Sequence, residues 1–126
     1  MNKFNLIYQP FPEEIQGLIP GFTGHRDDDY TVFIDSTQPE DKRAWTLRHE
    51  LSHLYLGHLD DDKRTETSQA YLENIDEIEA EANEYADQMT DEDLSYLMTY
   101  ALSVKRLSGH YDPEYHFIPA CCFKIY

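Results

Sequence analysis

The sequence predicts an α+β fold in which a small antiparallel sheet of about three strands packs beside three helices. Two short runs near the N-terminus, "FNLIYQ" (4–9) and "YTVFID" (30–35), have the apolar pattern and length of strands. The segments that follow repeat apolar residues at helical spacing and begin with residues that favour helix starts. Because 126 residues suffice for one core, we expect a single domain over residues 1–126.

The expected strands lie in the first third of the chain. "FNLIYQ" ends at "PFPEE", and "IQGLIPGF" (15–22) is a second, weaker strand candidate. "TGHRDDD" is typical of a turn. In "YTVFID", Tyr30, Val32 and Ile34 fall on one face of a strand, and Thr31, Phe33 and Asp35 fall on the other. This alternation predicts a half-buried strand in an antiparallel hairpin or meander.

Three helices are expected after the strands. The first opens at "STQPED", where Thr37 and Glu40 have the spacing of a capping box. The second covers about residues 68–89 and carries an apolar inner arc. The third begins at Thr90, which can cap it, and is expected to end at "KRLSG" (105–109) with basic residues in its last turn.

Composition and charge exclude several classes of function. The 25 acidic and 10 basic residues give a formal charge of −15, which disfavours nucleic acid or an anionic membrane as a direct partner and suits a basic protein. No apolar run approaches membrane-spanning length, and the N-terminal residues do not form a secretory signal. Adjacent cysteines such as Cys121 and Cys122 rarely form a relaxed disulfide, so we expect a reduced, cytoplasmic protein.

The segment "HELSH" (49–53) carries the strongest chemical pattern. Its two histidines are four residues apart, which places them within about 40° on a helix surface, and they can occupy two corners of a tetrahedral zinc site. Glu50 would then act as the general base toward a water molecule that the metal polarises. The alternative is an amphipathic helix with solvated histidines, and a third protein ligand would decide between the two.

Glu79 is the best candidate for that third ligand. The other acidic residues of the second helix fall on its polar side, but Glu79 lies on the inner arc among apolar residues. A buried carboxylate is costly unless a positive group compensates it, and a metal ion would do so. An ion pair with Arg48 or Arg106 is the alternative. Asn83, one turn further on, is a candidate for orienting a ligand.

A different spacing of the third ligand is also possible in principle. The metzincin pattern needs a glycine three residues after the second histidine, but Gly57 comes four residues after His53. His58 and Asp60 are therefore expected at the rim of the site and not among the ligands.

The two motifs together resemble the ImmA/IrrE family of metallo-endopeptidases. The resemblance lies in "HELSH" and in "EAEANEYA" (79–86), which is similar to that family's Glu-x-x-Ala-Asn-x-aromatic-Ala helix, and it covers about residues 28–90. It implies a minimal zincin-like domain of gluzincin type, in which His49, His53 and Glu79 bind Zn²⁺ and Glu50 activates water. Manganese and iron are alternatives, since two histidines and a glutamate suit several divalent ions.

The resemblance also implies a protein substrate. Members of the family cleave, or otherwise inactivate, helix-turn-helix repressors of mobile elements or stress responses, and a charge of −15 would speed encounter with a basic repressor. We therefore predict a zinc-dependent endopeptidase that cleaves such a repressor. The alternative is a non-cleaving anti-repressor, an antitoxin-like module that binds it. "DQMTDED" (87–93) departs from the family pattern, which continues into a leucine-rich stretch.

The substrate segment is expected to add to the edge of "YTVFID", with Tyr30, Val32 and Ile34 in the binding strand. The donor that stabilises the oxyanion is left open. The candidates lie in the third helix and in the C-terminal tail: Tyr96, Tyr100, His110, Tyr111, Tyr115 and His116.

Overall fold

The computed structural model describes residues 1–26, 29–60 and 63–108, and eight helices and strands follow one another in this part of the chain. They are β1 (Phe4–Gln9), β2 (Gly21–Arg26), β3 (Asp29–Asp35), α1 (Glu40–Tyr55), α2 (Gln69–Glu73), α3 (Ile75–Gln88), α4 (Asp91–Met98) and β4 (Ala101–Arg106). The predicted α+β class is confirmed. Cys121, Cys122 and the four tail candidates for the oxyanion donor lie outside the described residues.

The sheet has four strands in the order β2-β3-β1-β4 and is mixed. β2 pairs with β3 in the antiparallel sense, as the predicted hairpin requires, but β1 pairs in parallel with both β3 and β4. The expectation of three antiparallel strands was therefore wrong. The parallel pairs arise because long connections lie between their strands: β4 forms only after the four helices, and such crossovers allow parallel pairing.

Four segments differ from their predicted structure, one of them the end of the third predicted helix, where β4 forms instead. β2 occupies "GFTGHR", which combines the last two residues of the weaker strand candidate at 15–22 with the start of the expected turn, while residues 15–18 form turns. The single helix predicted over 68–89 is divided into α2 and α3 at Asn74. The predicted capping box at Thr37 does not form: its hydroxyl donates to Asp35 at 2.8 Å, and α1 begins after Pro39.

Both faces of the sheet are covered, because the strand residues alternate between two buried layers. The first layer joins β1 and β3 to α1 through Leu6, Val32 and Leu51, all at most 1% exposed. The second layer lies on the opposite face, where Phe33 stacks on Phe22 with ring centroids 4.9 Å apart. The sheet therefore forms a fixed platform against which α1 is held.

The position of β3 corrects the predicted binding strand. β3 lies between β2 and β1, so both of its edges are paired. Tyr30, Val32 and Ile34 are 6%, 0% and 0% exposed and belong to the core that faces α1. A substrate segment therefore cannot pair with β3, and in the described part of the chain β2 forms the edge of the sheet on that side.

Helix length and hydropathy bear on membrane insertion. Across residues 1–26, 29–60 and 63–108, no helix combines the length and the apolar character that crossing a bilayer requires.

Candidate metal centre

α1 and α3 bring three potential ligand atoms together. His49 Nε2 and His53 Nε2 are 3.1 Å apart, and Glu79 Oε2 lies 2.8 Å from the first and 3.5 Å from the second. In a tetrahedral zinc site with bonds of roughly 2.0–2.2 Å, ligand atoms lie roughly 3.3–3.6 Å from one another. These three atoms, named here the ligand triangle, are therefore close to one face of a tetrahedron of the size that zinc needs.

The local sequence explains why the two helices present these side chains. The histidines are one turn apart on α1, and Leu47, Leu51 and Leu54 bury a different side of that helix in the core. On α3, Ile78 and Ala82 are buried next to Glu79, whose own side chain keeps 35% of its surface exposed. Glu79 thus lies at the boundary of the buried face, where its carboxylate reaches α1.

The ligand triangle stabilises a positive charge placed between its three side chains. Burial would raise the pKa of Glu79, but hydrogen bonds with His49 and His53 outweigh burial and hold that pKa well below its usual range. Burial also opposes a charged His49, yet the hydrogen bond with Glu79 and the charge of Glu50 raise the pKa of His49 above its ordinary value. A site that favours a proton this way also favours a divalent cation in its place.

Glu50 is buried beside the ligand triangle with one oxygen held and the other directed at the site. Its side chain is 3% exposed, and its Oε1 accepts a hydrogen bond of 2.7 Å from the Thr23 hydroxyl on β2. Its Oε2 lies 4.0 Å from His49 Nε2. Potential ligand atoms of His49, Glu50 and His53 all lie within 4.8 Å of one another.

Gly21 allows α1 to approach β2 closely enough for this contact. A Cβ atom at Gly21 would lie 2.8 Å from Thr46 Cγ2 and 2.9 Å from the Phe33 carbonyl oxygen. Both distances are shorter than van der Waals contact, so a side chain at this position would push the helix and strand apart.

Tyr71 is a member of the site that the sequence did not identify. Helical spacing places it on the apolar inner arc of the second predicted helix, and it is indeed 1% exposed. Its hydroxyl, however, donates to Glu79 Oε1 at 2.6 Å and lies 3.3 Å from His53 Nε2. Burial raises the pKa of Tyr71, and the charges of Glu66 and Glu79 add to that rise, so the phenol stays a neutral donor.

His58 is not the rim residue that the sequence predicted. It is 8% exposed and lies behind His53, with the two Nδ1 atoms 3.1 Å apart. Burial, together with the neighbouring His53, lowers the pKa of His58, so a neutral ring can accept the N–H of His53 Nδ1. That hydrogen bond leaves the lone pair of His53 Nε2 directed into the ligand triangle.

Two further side chains adjoin His49. Trp45 stacks on its ring, with centroids 5.1 Å apart and planes at 24°, and is itself held by a 3.1 Å hydrogen bond to Asp87. Asn83, predicted to orient a ligand, adjoins His49 and contributes to the raised pKa of that histidine. These neighbours restrict the orientation of the His49 imidazole.

Both arginines considered as alternative partners for Glu79 are engaged elsewhere. Arg48 pairs with Asp91 at 2.8 Å and donates to the Met89 carbonyl at 2.6 Å. The Arg106 guanidinium lies 4.4 Å from the centre of the Tyr8 ring. The observed partners of Glu79 are the ligand histidines and Tyr71 instead.

Glu66, which the sequence also did not single out, extends toward the ligand triangle from the connection before α2. Its Oε1 lies 3.7 Å from His53 Nε2, and its backbone N–H donates to the Thr23 carbonyl at 3.3 Å. Burial raises the pKa of Glu66 well above its ordinary value, and the charge of Glu50 raises it further.

The two tyrosines proposed as oxyanion donors, Tyr96 and Tyr100, instead share a 3.0 Å hydrogen bond with each other.

Comparison with known families agrees with this geometry. The sequence profile of the IrrE N-terminal-like domain, a peptidase family, matches residues 6–107. No curated protein and no solved structure gives a match. The matched span contains His49, Glu50, His53 and Glu79, and it covers most of the 126 residues. The chain therefore belongs to the family of peptidases defined by the IrrE N-terminal-like domain.

Proposed function

We propose that the protein is a zinc-dependent endopeptidase that cleaves a basic helix-turn-helix repressor of a mobile element or a stress response. The observation that carries the activity is the ligand triangle with Glu50 Oε2 beside it. The family match supports a peptidase. The proposed substrate draws on the net charge of −15 and on the resemblance to repressor-inactivating peptidases.

The donor atoms suit a divalent ion such as zinc. Two imidazole nitrogens and one carboxylate oxygen form a common catalytic zinc set, and three protein ligands leave a fourth position for chemistry. Held by His49, His53 and Glu79, the ion would polarise the scissile carbonyl and lower the pKa of the attacking water.

The remaining residues have separable roles in proton transfer and in orienting the ligands. Glu50 Oε2 accepts the proton of the attacking water and passes it to the leaving amine nitrogen, while the Thr23 hydroxyl holds Oε1 at 2.7 Å. The Tyr71 hydroxyl, 2.6 Å from Glu79 Oε1, fixes the orientation of that carboxylate. His58 fixes the tautomer of His53.

An extended substrate would add to the outer edge of β2. This strand ends the sheet on the side of the site, and its Thr23 already contacts Glu50. A peptide paired with this edge would pass beside the general base, and backbone hydrogen bonds would bind it without regard to sequence.

The test is Glu50→Gln, which keeps the shape of the side chain but cannot take a proton. Cleavage of a peptide library, and of basic helix-turn-helix proteins, should fall roughly 100- to 10,000-fold, as expected for loss of a general base. The metal content should stay that of the parent protein. Glu84→Gln, an exposed position on α3, is the matched control and should cleave normally.

Two results would contradict the proposal in different ways. A Glu50→Gln variant that still cleaves at the parental rate would show that the general base lies elsewhere. A zinc-loaded parent that binds a repressor tightly but leaves it intact would favour the non-cleaving anti-repressor.

A further inference from the structure

We propose that Glu66 is a fourth, displaceable protein ligand of the metal centre and that the turn carrying it closes the resting site against substrate. The turn consists of residues 65–68 and is called here the Glu66 turn. The inference rests on the proposed function, since it concerns the regulation of the same site.

The first observation is the position of the Glu66 carboxylate. Its Oε1 is 3.7 Å from His53 Nε2, close to the 3.5 Å that separates the same nitrogen from Glu79 Oε2. This oxygen is buried and accepts no hydrogen bond from a donor among the described residues, and the Glu66 carboxyl also contacts the Glu50 carboxyl, which is itself an acceptor when ionised. A buried carboxylate oxygen needs a donor or a cation beside it, and an ion in the ligand triangle would be that partner.

The distance is also suitable for a fourth ligand. In a tetrahedral zinc site the fourth donor atom lies roughly 3.3–3.6 Å from each of the other three. Glu66 Oε1 lies near that distance from His53 Nε2, and we infer that it takes the fourth corner when the ion is bound. That corner is the position that a catalytic site keeps open for water or substrate.

The second observation is where the backbone of Glu66 binds. Along a strand, successive carbonyls point alternately to the two sides. The Pro20 carbonyl points toward β3, because it accepts the Asp35 N–H, so the Thr23 carbonyl, three residues later, points away from β3. The N–H of Glu66 donates to this outward Thr23 carbonyl at 3.3 Å. Glu66 thus combines a backbone hydrogen bond on the expected substrate edge with a carboxylate at the metal centre.

The Glu66 turn has its own hydrogen bonds, which allow it to leave the edge as a unit. Thr65 Oγ1 lies 2.9 Å from Thr67 Oγ1 and accepts the Thr67 N–H at 3.3 Å. The Ser68 hydroxyl and N–H donate to the Thr65 carbonyl at 3.0 and 3.1 Å. A substrate strand could therefore displace Glu66 from Thr23 and from the metal together, without unfolding the turn.

The experiment compares Glu66→Gln with the parent protein in two measurements that do not depend on catalysis. Zinc affinity is measured by competition with a chromophoric chelator. Affinity for acetohydroxamate, a small metal-binding probe, is measured from the visible spectrum of the cobalt-loaded protein. Glu84→Gln is the control, because it removes an exposed carboxylate of α3 that lies outside the ligand triangle.

The two affinities should move in opposite directions. Zinc should bind roughly tenfold or more weakly to Glu66→Gln because a ligand is lost. Acetohydroxamate should bind roughly tenfold more tightly, as expected if the open form is about a tenth of the parent population. Glu84→Gln should match the parent in both measurements.

The outcomes separate this inference from the proposed function. Parental values in Glu66→Gln would overturn the inference, and so would weaker zinc binding without tighter probe binding, which indicates only a nearby charge. A parent that binds no zinc would instead overturn the proposed function. If Glu66→Gln fails to fold, Thr65→Ala keeps the carboxylate but loosens the turn: tighter probe binding would support the inference, and parental binding would overturn it.

Discussion

At the scale of single residues, His53 makes more contacts within the candidate metal centre than either of the other two potential ligands. The residue is fully buried. Its Nε2 faces His49, Glu79, Tyr71 and Glu66, and its Nδ1 faces His58. The Nδ1 atom hydrogen-bonds with His58, and the Nε2 atom belongs to the ligand triangle. The hydrogen bond at Nδ1 sets the tautomer of His53, and the tautomer decides whether Nε2 has a lone pair for a metal ion.

Local spacing was enough to identify part of this arrangement. The histidines are one helical turn apart, and Glu79 is a charge on an otherwise apolar arc, so both features could be read from a single helix. Tyr71, His58 and Glu66 come from other elements or connections, and no spacing pattern brings them to His53. A buried tyrosine needs a hydrogen-bond partner, which was the one available signal for Tyr71.

Replacing His58 tests the role of the residue behind His53. His58→Ala should bind zinc roughly 10- to 100-fold more weakly than the parent, because His53 loses the acceptor that fixes its tautomer. The measurement is chelator competition. His25→Ala, which removes a histidine whose ring packs on Tyr30 on the sheet, is the control. Equal zinc affinities in parent and His58→Ala would contradict the assigned role.

At the scale of secondary structure, the junction after α4 shows what the sequence pattern could not decide. The third helix was predicted to end at "KRLSG", with Gly109 past its end, but α4 ends at Met98 and β4 begins at Ala101. "ALSVKR" does alternate Leu102 and Val104 with polar residues, yet its strand state depends on pairing with β1, nearly a hundred residues earlier. Such long-range pairing leaves only a weak local signal.

The start of α4, in contrast, was predicted correctly. Thr90 caps the helix: the Asp93 N–H donates to Thr90 Oγ1 at 3.1 Å, and the Thr90 N–H donates to Asp93 Oδ2 at 3.0 Å. Capping is local chemistry, so four consecutive residues carry the whole signal. The hydrogen bonds from the Thr90 backbone and side chain hold the pKa of Asp93 below its ordinary value.

This capping box predicts a pH-dependent contribution to stability. Because the pKa of Asp93 is lower in the folded state than in the unfolded state, its contribution is present above the unfolded pKa and is lost as pH falls through the folded pKa. Asp93→Ala should therefore unfold at lower urea than the parent at neutral pH, and the difference should shrink as pH falls below the ordinary pKa of an aspartate.

The comparison is made in the presence of a chelator, so that metal binding does not contribute. Glu92→Ala is the matched control. It removes an acidic residue from the same helical turn, whereas Asp93 is the acidic residue of the capping box. A difference between Asp93→Ala and the parent that is unchanged at low pH would mean that the Asp93 carboxylate does not act through its charge.

At the scale of the whole molecule, a charge of −15 on 126 residues produces a field that acts on a basic partner before contact. Charge can be read from composition alone, so this property needed no structure. The direction of strand pairing and the free edge of the sheet could not be read this way, because both depend on how distant segments meet. The predicted binding strand was wrong for that reason.

Steering by this field predicts a salt-sensitive reaction. Raising sodium chloride from about 50 to about 500 mM should lower kcat/KM for a basic repressor substrate roughly tenfold, because salt screens the attraction. The control is a short neutral peptide that contains the cleavage site, whose kcat/KM should change little. Equal salt dependence for both substrates would rule out steering by net charge.

The central claim is that His49, His53 and Glu79 hold a catalytic metal ion, and metal content tests it most directly. Elemental analysis is made on the purified parent, on Glu79→Ala and on Glu50→Gln after each has been offered zinc. The account predicts one zinc ion per chain in the parent and in Glu50→Gln, and its loss in Glu79→Ala, which lacks one of the three ligands. A parent without metal, or a Glu79→Ala variant that retains zinc as well as the parent does, would contradict the account.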